Sequence, residues 1–252
     1  MTILRRALPN QPKAITIDFW DTMVDARVNG LKRQTQRLDA LQEVGHATGT
    51  KLSTALIEAA YQAATETFYA QWKHAHKTLR TSDLVNLIWE ELELNVDAAL
   101  HQEVVTIFEE GLLYGPPQLA EGLPEALAWA SNRFPLAIIS DTMFSPGRVI
   151  RQYLASYDLL KHFSGFVFSD ELGVSKPNPK AFKEAAYQLN TDPSTLLHIG
   201  DMPRTDVAGA VGVDAGSVLF TGIQNNETAA IQPHFLLHHW ESLPNLLATS
   251  LP

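Results

Sequence analysis

Short, largely apolar runs that stop at a carboxylate or a hydroxyl restrict this chain more than any other feature. Ala14-Ile15-Thr16-Ile17 stops at Asp18, and Leu136-Ala137-Ile138-Ile139 at Ser140 and Asp141. Phe166-Val167-Phe168 runs into Ser169 and Asp170, and Leu196-Leu197-His198-Ile199 into Gly200 and Asp201. Ser217-Val218-Leu219-Phe220 is a further run of the same kind. Runs this short read as buried strands. Helical stretches between them begin near Pro146, Pro179 and Thr205. Strands that alternate with helices form an open parallel sheet, and ligands bind such sheets at the carboxyl ends of the strands. The residues just after each run are therefore the ones to examine for chemistry.

The texture differs between the first run and the second. Residues 28–115 carry few strand signals and four helical periods. Leu31, Leu38 and Leu41 mark one. Ile57, Tyr61, Phe68 and Trp72 mark a long one behind Ser53, which can cap it. Leu84, Leu87, Ile88 and Leu92 mark a third, with Ser82 or Asp83 near its start. Leu100, Val104, Ile107 and Phe108 mark a fourth. Each set recurs at three- and four-residue steps and so buries one stripe, which predicts a small bundle. Gly115-Pro116-Pro117 ends it. The expected fold is α/β: a doubly wound, mostly parallel sheet of residues 1–22 and 117–252, with a smaller all-helical unit of residues 23–116.

Composition removes several function classes. Asp and Glu number 28 against 19 Lys and Arg, a formal net charge of −9. Bulk charge of this sign does not attract a phosphate backbone, so nucleic acid is not an expected partner. The absence of Cys excludes disulfides, thiolate nucleophiles and zinc–thiolate sites. No apolar run approaches the ~18 residues of a membrane span. The first segment has basic residues, but Pro9 and Pro12 break its short apolar stretch, unlike a signal peptide. By elimination the expected setting is the cytoplasm, without a membrane partner.

Asp18, Ser140, Asp141 and Asp201 sit at strand ends. Lys176 lies in Val174-Ser175-Lys176-Pro177-Asn178-Pro179, a loop beyond the third run. Acids, a hydroxyl and a Lys meeting at one sheet edge suit magnesium and phosphate. Mg²⁺ takes carboxylate oxygens together with phosphate and water, and Lys supplies a compact positive charge for phosphate oxygens.

These segments resemble the haloacid dehalogenase (HAD) superfamily of aspartate-nucleophile hydrolases. Ile17-Asp18-Phe19-Trp20-Asp21-Thr22-Met23-Val24-Asp25 is similar to its first motif and Ile138-Ile139-Ser140-Asp141 to its second. Lys176-Pro177-Asn178-Pro179-Lys180-Ala181-Phe182 is similar to the third. Gly200-Asp201-Met202-Pro203-Arg204-Thr205-Asp206, with Val207-Ala208-Gly209-Ala210 after it, is similar to the fourth. One such motif is a weak signal, but four in the family's order, each at an expected strand end, are a strong one. The helical stretch after the first motif falls where many members carry a cap.

The resemblance implies roles. Asp18 is the expected nucleophile, passing through an aspartyl-phosphate. Asp18, Asp201 and the backbone carbonyl of Trp20 are the expected Mg²⁺ ligands. Asp206 joins this metal set as a support for the metal's waters or for Lys176. Ser140 and the N–H groups of Asp141, Phe19 and Trp20 are expected to hold phosphoryl oxygens, and Lys176 to neutralise them. One departure is Trp20. Phosphatases of the superfamily usually have there a second Asp that acts as general acid and then base. Such acid–base help is typically worth ~10²–10⁴-fold, so aryl or acyl phosphates are expected to outpace sugar phosphates. The expected activity is Mg²⁺-dependent hydrolysis of a small phosphorylated molecule by a monomer or homodimer. Two alternatives stand: a metal-free 2-haloacid dehalogenase, and a catalytically weak binding protein. Trp72, Lys73, His74, His76 and Lys77 read as a solvated helix end, and His238 and His239 as surface residues.

Overall fold

The computed structural model describes residues 3–4, 6–228 and 230–250. The outermost residues of the expected core, Met1, Thr2, Leu251 and Pro252, lie outside them, as do Arg5 and Ala229. The main sheet contains β1 (Ile3–Leu4), β2 (Ala14–Ile17), β5 (Leu136–Ser140), β6 (Gly165–Phe168), β7 (Leu196–Gly200), β8 (Gly216–Phe220) and β9 (Phe235–Leu237). A small ribbon pairs β3 (Val24–Asp25) with β4 (Gln118–Leu119). The order across the main sheet is β1-β9-β8-β7-β2-β5-β6, parallel throughout except for β1 against β9.

β2, β5, β7 and β8 are buried at every position, because helices cover both faces. Alternation along the strands divides the core in two. Ile15, Ile17, Leu136, Ile138, Leu197 and Ile199 pack against α5 (Leu123–Ser131), α6 (Gly147–Ser156) and α10 (Leu243–Ser250). Ala14, Ala137, Ile139 and Leu196 face α8 (Pro179–Gln188). From β2 the chain winds outward through β5 to β6, then returns to fill the other side through β7, β8 and β9. The winding reverses between β2 and β7, and their carboxyl ends open the crevice that such sheets use for ligands.

β2 runs into one tight turn, in which the Phe19 carbonyl accepts N–H bonds from Met23 (2.9 Å) and Val24 (3.3 Å). Asp21 is in the left-handed region of that turn, with φ 52°. After β3 come α1 (Gly30–Ala47), α2 (Thr54–Ala70), α3 (Thr81–Glu91) and α4 (Ala98–Tyr114), and β4 leads back to the sheet. These four helices enclose their own apolar cluster, which takes in Phe144 from the loop after β5. Tyr61 stacks on Phe144 at 5.5 Å, and the Arg37 guanidinium lies 4.4 Å from the same ring. Arg33 ties the two connections together, donating to the carbonyls of Ala26 (2.5 Å), Val28 (2.9 Å) and Gly115 (2.7 Å). α3 starts at Thr81, and the residue before it, Arg80, donates its N–H to Asp83 at 2.9 Å, so Asp83 rather than Ser82 closes that end. No helix among the described residues is long and apolar enough to cross a membrane.

His234, just ahead of β9, shows how the sheet edge responds to acid. Its Nδ1 accepts the backbone N–H of Ser217 at 3.0 Å, which requires that nitrogen to be unprotonated. Burial, with Arg6 adding repulsion, pulls the imidazole pKa down to about 4. The unfolded chain takes up this proton near pH ~6.5 while the folded chain refuses it. The contribution is whole above ~6.5 and drains away as pH falls towards 4. Urea midpoints should drop between about pH 7 and about pH 5, and the drop should be smaller in His234→Asn, whose carbonyl can still accept from Ser217. An equal drop in both proteins rejects the assignment.

Candidate active site

Lys176 is the centre of the crevice. Its Nζ is 2.5 Å from Asp18 Oδ1, 2.6 Å from Asp206 Oδ1 and 3.0 Å from the Ile139 carbonyl. One ammonium thus joins the end of β2, the end of β5 and the turn after β7, and it is 2 % exposed. Its backbone N–H donates to Asp141 Oδ1 at 2.9 Å.

Asp206 is fully committed. Besides Lys176, it holds His198 Nε2 (2.9 Å), the Met202 N–H (3.0 Å) and the Thr205 hydroxyl (3.1 Å). His198 bonds the Thr16 hydroxyl through Nδ1 at 2.9 Å. Burial lowers the His198 pKa, so the ring is neutral, with its Nε2 proton directed at Asp206. Asp206 comes this close only because residue 200 has no side chain: a Cβ on Gly200 would lie 2.3 Å from Asp206 Cγ. Asp201 has a lighter hold, from the Asn226 carboxamide to Oδ2 (3.0 Å) and to the backbone carbonyl (3.3 Å). Oxygens of Asp18, Asp201 and Asp206 lie within 4.8 Å of one another, all buried.

Three carboxylates around one ammonium leave negative charge in excess. Burial, opposed by Lys176 and reinforced by Asp206, pushes Asp18 up to about 7. Burial and repulsion from Asp206, Asp18 and Asp21 push Asp201 up to about 8. Burial acts on Asp206 in the same direction, but Lys176 and the His198 hydrogen bond outweigh it and hold the carboxyl well below the usual range. For Lys176 burial acts downward, and the surrounding Asp18, Asp206 and Asp141 hold the ammonium above its ordinary value.

The other expected site residues are arranged unevenly around this cluster. Asp141 is at the crevice, but both its oxygens are taken, Oδ1 by the Lys176 N–H and Oδ2 by the Trp72 indole N–H at 2.9 Å. Ser140, the last residue of β5, is buried, and its hydroxyl makes only a 3.4 Å bond to the Asp141 carbonyl. The Phe19 ring points into the core against Tyr153, leaving only its backbone at the turn. Trp20 lines the cavity above Asp18. Asp170 is outside the cluster, where it accepts from Thr142 and from the Gly147 N–H.

Two expectations need correction or completion. Trp72 is not a solvated helix end. Residues Gln71–Ala75 form a wider π turn at the end of α2, and the indole is half-buried against the core, with the Arg204 guanidinium 4.1 Å from its ring centre. Lys73, His74 and Lys77 are exposed, whereas His76 is half-buried as well, its carbonyl accepting the Ser175 N–H at 2.9 Å. His198, Asn226 and Gln224 join the site without being among the residues expected there, and Gln224 donates to Asp21 Oδ2 at 2.7 Å. A His inside an otherwise apolar strand was a usable signal for the first. The carboxamides follow no motif.

A cavity of about 300 Å³ opens over Asp18, Lys176 and Asp201, between the sheet edge and the C-terminal end of α2. The family model described as haloacid dehalogenase-like hydrolase matches residues 12–214. A phosphoserine phosphatase of Thermus thermophilus is 29% identical over 121 residues, 41% of this chain and 49% of that protein. The chain spans about half the length of the curated relatives it matches. Among solved structures, a 2-haloacid dehalogenase of Pseudomonas syringae pv. Tomato superposes with a TM-score of 0.72 at 22% identity, covering 95% of this chain and 99% of that one. The HAD-hydrolase YfnB of Bacillus subtilis, solved bound to magnesium, gives a TM-score of 0.63 at 18% identity, with 94% and 99% covered. At these identities the two structures speak for the fold alone. With its family match running from ahead of β2 to beyond Asp206, the chain belongs to the haloacid dehalogenase-like hydrolases.

Proposed function

We propose that this hydrolase is a Mg²⁺-dependent phosphatase acting on a small phosphate ester through Asp18, with residues 23–116 as its cap. The observation that carries the reading is the buried Lys176 ammonium shared by Asp18 and Asp206, with Asp201 beside them. A carboxylate whose single charge-compensating neighbour is already shared, and whose pKa is raised by burial and by its acidic neighbours, fits a divalent cation. Asp18, Asp201 and the Trp20 carbonyl would hold it, and Asp206 would act from behind by fixing Lys176. When bound, Mg²⁺ supplies charge neutralisation at the phosphoryl oxygens.

The chain's own residues supply the rest. Lys176 holds Asp18 Oδ1, which leaves Oδ2 with a long 3.5 Å contact from the Thr22 hydroxyl. Oδ2 attacks phosphorus, the bond to the leaving oxygen breaks, and water later cleaves the resulting aspartyl-phosphate. Lys176 and the N–H groups of Phe19, Trp20 and Asp141, with Ser140, hold the phosphoryl oxygens. Positioning and electrostatics carry most of the rate in such transfers. Asp21 lines the cavity, but its oxygens accept from the Ala26 N–H (3.1 Å) and from Gln224, so it is oriented as an acceptor. The leaving oxygen departs without a dedicated acid, in keeping with Trp20.

The test is turnover of p-nitrophenyl phosphate with and without EDTA. Turnover should vanish with the chelator and return with Mg²⁺. The metal should also raise the thermal midpoint. With folded pKa values of about 7 and about 8, the cost of ionising Asp18 and Asp201 builds up from the unfolded Asp value near ~3.9 and is complete above about 8. The cation relieves the cost, so the midpoint gain should be larger near about pH 8.5 than near about pH 6. Undiminished turnover in EDTA rejects the metal. A dehalogenase reading draws on Trp20 alone, and halide release from chloroacetate would establish it instead.

A further inference from the structure

Much of the cavity lining beside the acids is aromatic. Trp20 from the core and Phe68, Tyr69 and Trp72 from the end of α2 supply it, with Met143 from the loop after β5. The rings are fixed before any ligand arrives. Trp72 is held by Asp141 through its indole N–H and carries Arg204 on a ring face. Tyr69 meets Trp72 edge-on at 6.1 Å and Phe68 at 5.7 Å, and Trp20 is braced edge-on by Phe19 at 5.0 Å. A preformed aromatic box recognises flat apolar groups, and it loses little entropy in doing so.

The charges on the cavity point the same way. Lys176 is the only Lys, Arg or His that lines it among the described residues, and its ammonium is already divided between Asp18 and Asp206. The Arg204 guanidinium, 4.1 Å from the Trp72 ring centre, and the Arg33 guanidinium, 6.0 Å from the Trp20 ring centre, both lie outside the lining. Asp21 and Asp141 add negative charge to the wall. A substrate with a second anionic group has no partner here and meets repulsion. The volume, about 300 Å³, is at the small end of the ~300–1,000 Å³ range of ligand pockets. That leaves space for a phosphoryl group and a single ring.

We infer that the substrate is the phosphate monoester of a small, uncharged aromatic alcohol or phenol, whose ring stands between Trp20, Tyr69 and Trp72. The inference rests on the phosphatase reading and names its substrate class. It differs from a preference for acidic leaving groups, because the ring itself is recognised.

The experiment separates these. Benzyl phosphate and propyl phosphate release alcohols of similar acidity, and acetyl phosphate needs no ring pocket. kcat/KM for benzyl phosphate should exceed that for propyl phosphate by about tenfold or more, the range in which apolar pockets discriminate. 4-Carboxybenzyl phosphate should fall about tenfold below benzyl phosphate, as a desolvated second anion requires. Tyr69→Ala, at a half-exposed position, should compress the benzyl-to-propyl ratio towards one, and Trp72→Leu should do the same. A wild-type ratio near one, a carboxylated ester that is hydrolysed equally well, or a ratio that survives both variants overturns the inference. In those cases continued hydrolysis of acetyl phosphate leaves the phosphatase reading standing. No turnover of any of the four phosphorylated compounds in Mg²⁺ overturns both.

Discussion

Asp18→Asn should leave a folded protein with turnover reduced by about 10⁴-fold or more, the scale seen when a covalent nucleophile is removed. The amide keeps the shape of the carboxylate, and its oxygen can still accept from Lys176, which also retains Asp206. Stability should move the other way. The wild-type carboxyl has a folded pKa of about 7, raised by burial, so its ionisation above that value is a cost the folded state carries. An unfolded Asp ionises near ~3.9, and the cost therefore accumulates between that pH and 7 and is complete above it. The neutral amide never carries it. Thermal midpoints of the variant should match wild type near about pH 4 and exceed it near about pH 8. Turnover within tenfold of wild type would remove Asp18 from the chemistry altogether.

Lys176→Met should cost both folding and activity. Met has a similar length and suits the surroundings, so the lost quantity is charge and hydrogen bonding. Asp18 and Asp206 would then face each other in a space where both are nearly inaccessible. Removing one partner of a buried pair typically costs ~3–5 kcal/mol, a large part of the ~5–15 kcal/mol that holds a domain together. The pH dependence should change sign at this site. Lys176 now holds Asp206 low; without it that carboxyl rises, and stability falls as pH climbs through the new value. Adding Asp206→Asn to Lys176→Met should recover a good part of the stability, because two of the buried charges are then gone. It should recover no turnover. This coupling between adjacent residues is what a double-mutant cycle measures. If the double variant is no more stable than Lys176→Met, the ammonium's structural role lies in its bond to Ile139 instead.

Strands β2, β5, β7 and β8 were legible because both faces are covered, which leaves a largely apolar run with an abrupt polar end. Helices α1 to α4 were legible from stripes of large side chains. β1, β3, β4 and β9 have two or three residues each, too few for any period to appear. α5 buries Leu123, Ala126, Leu127 and Ala130 at helical spacing, but an alanine-rich stripe is a faint signal. Within the site, Asp18, Lys176, Asp201 and Asp206 could be named because each follows a strand in a recognisable string. Trp72, Asn226 and Gln224 could not. Their partners are 69, 25 and 203 residues away along the chain, and only the packing of the end of α2 and of the loop after β8 against the sheet brings them there.

The place of β7 in the sheet has a consequence for synthesis. β7 lies directly beside β2, although 178 residues separate the ends of the two strands that pair, Ile17 and Leu196 counted inclusively at 180 positions along the sequence. Asp18 leaves the ribosome early, then the whole helical unit, then Lys176, and the acids at 201 and 206 last. A nascent polypeptide stalled before β7 holds its aspartate without the neighbours that shape its charge. Its central strand keeps an unpaired edge until β7 slots in. Completion of the acidic cluster and pairing of that central edge therefore come together, and both wait until the helical unit has been made.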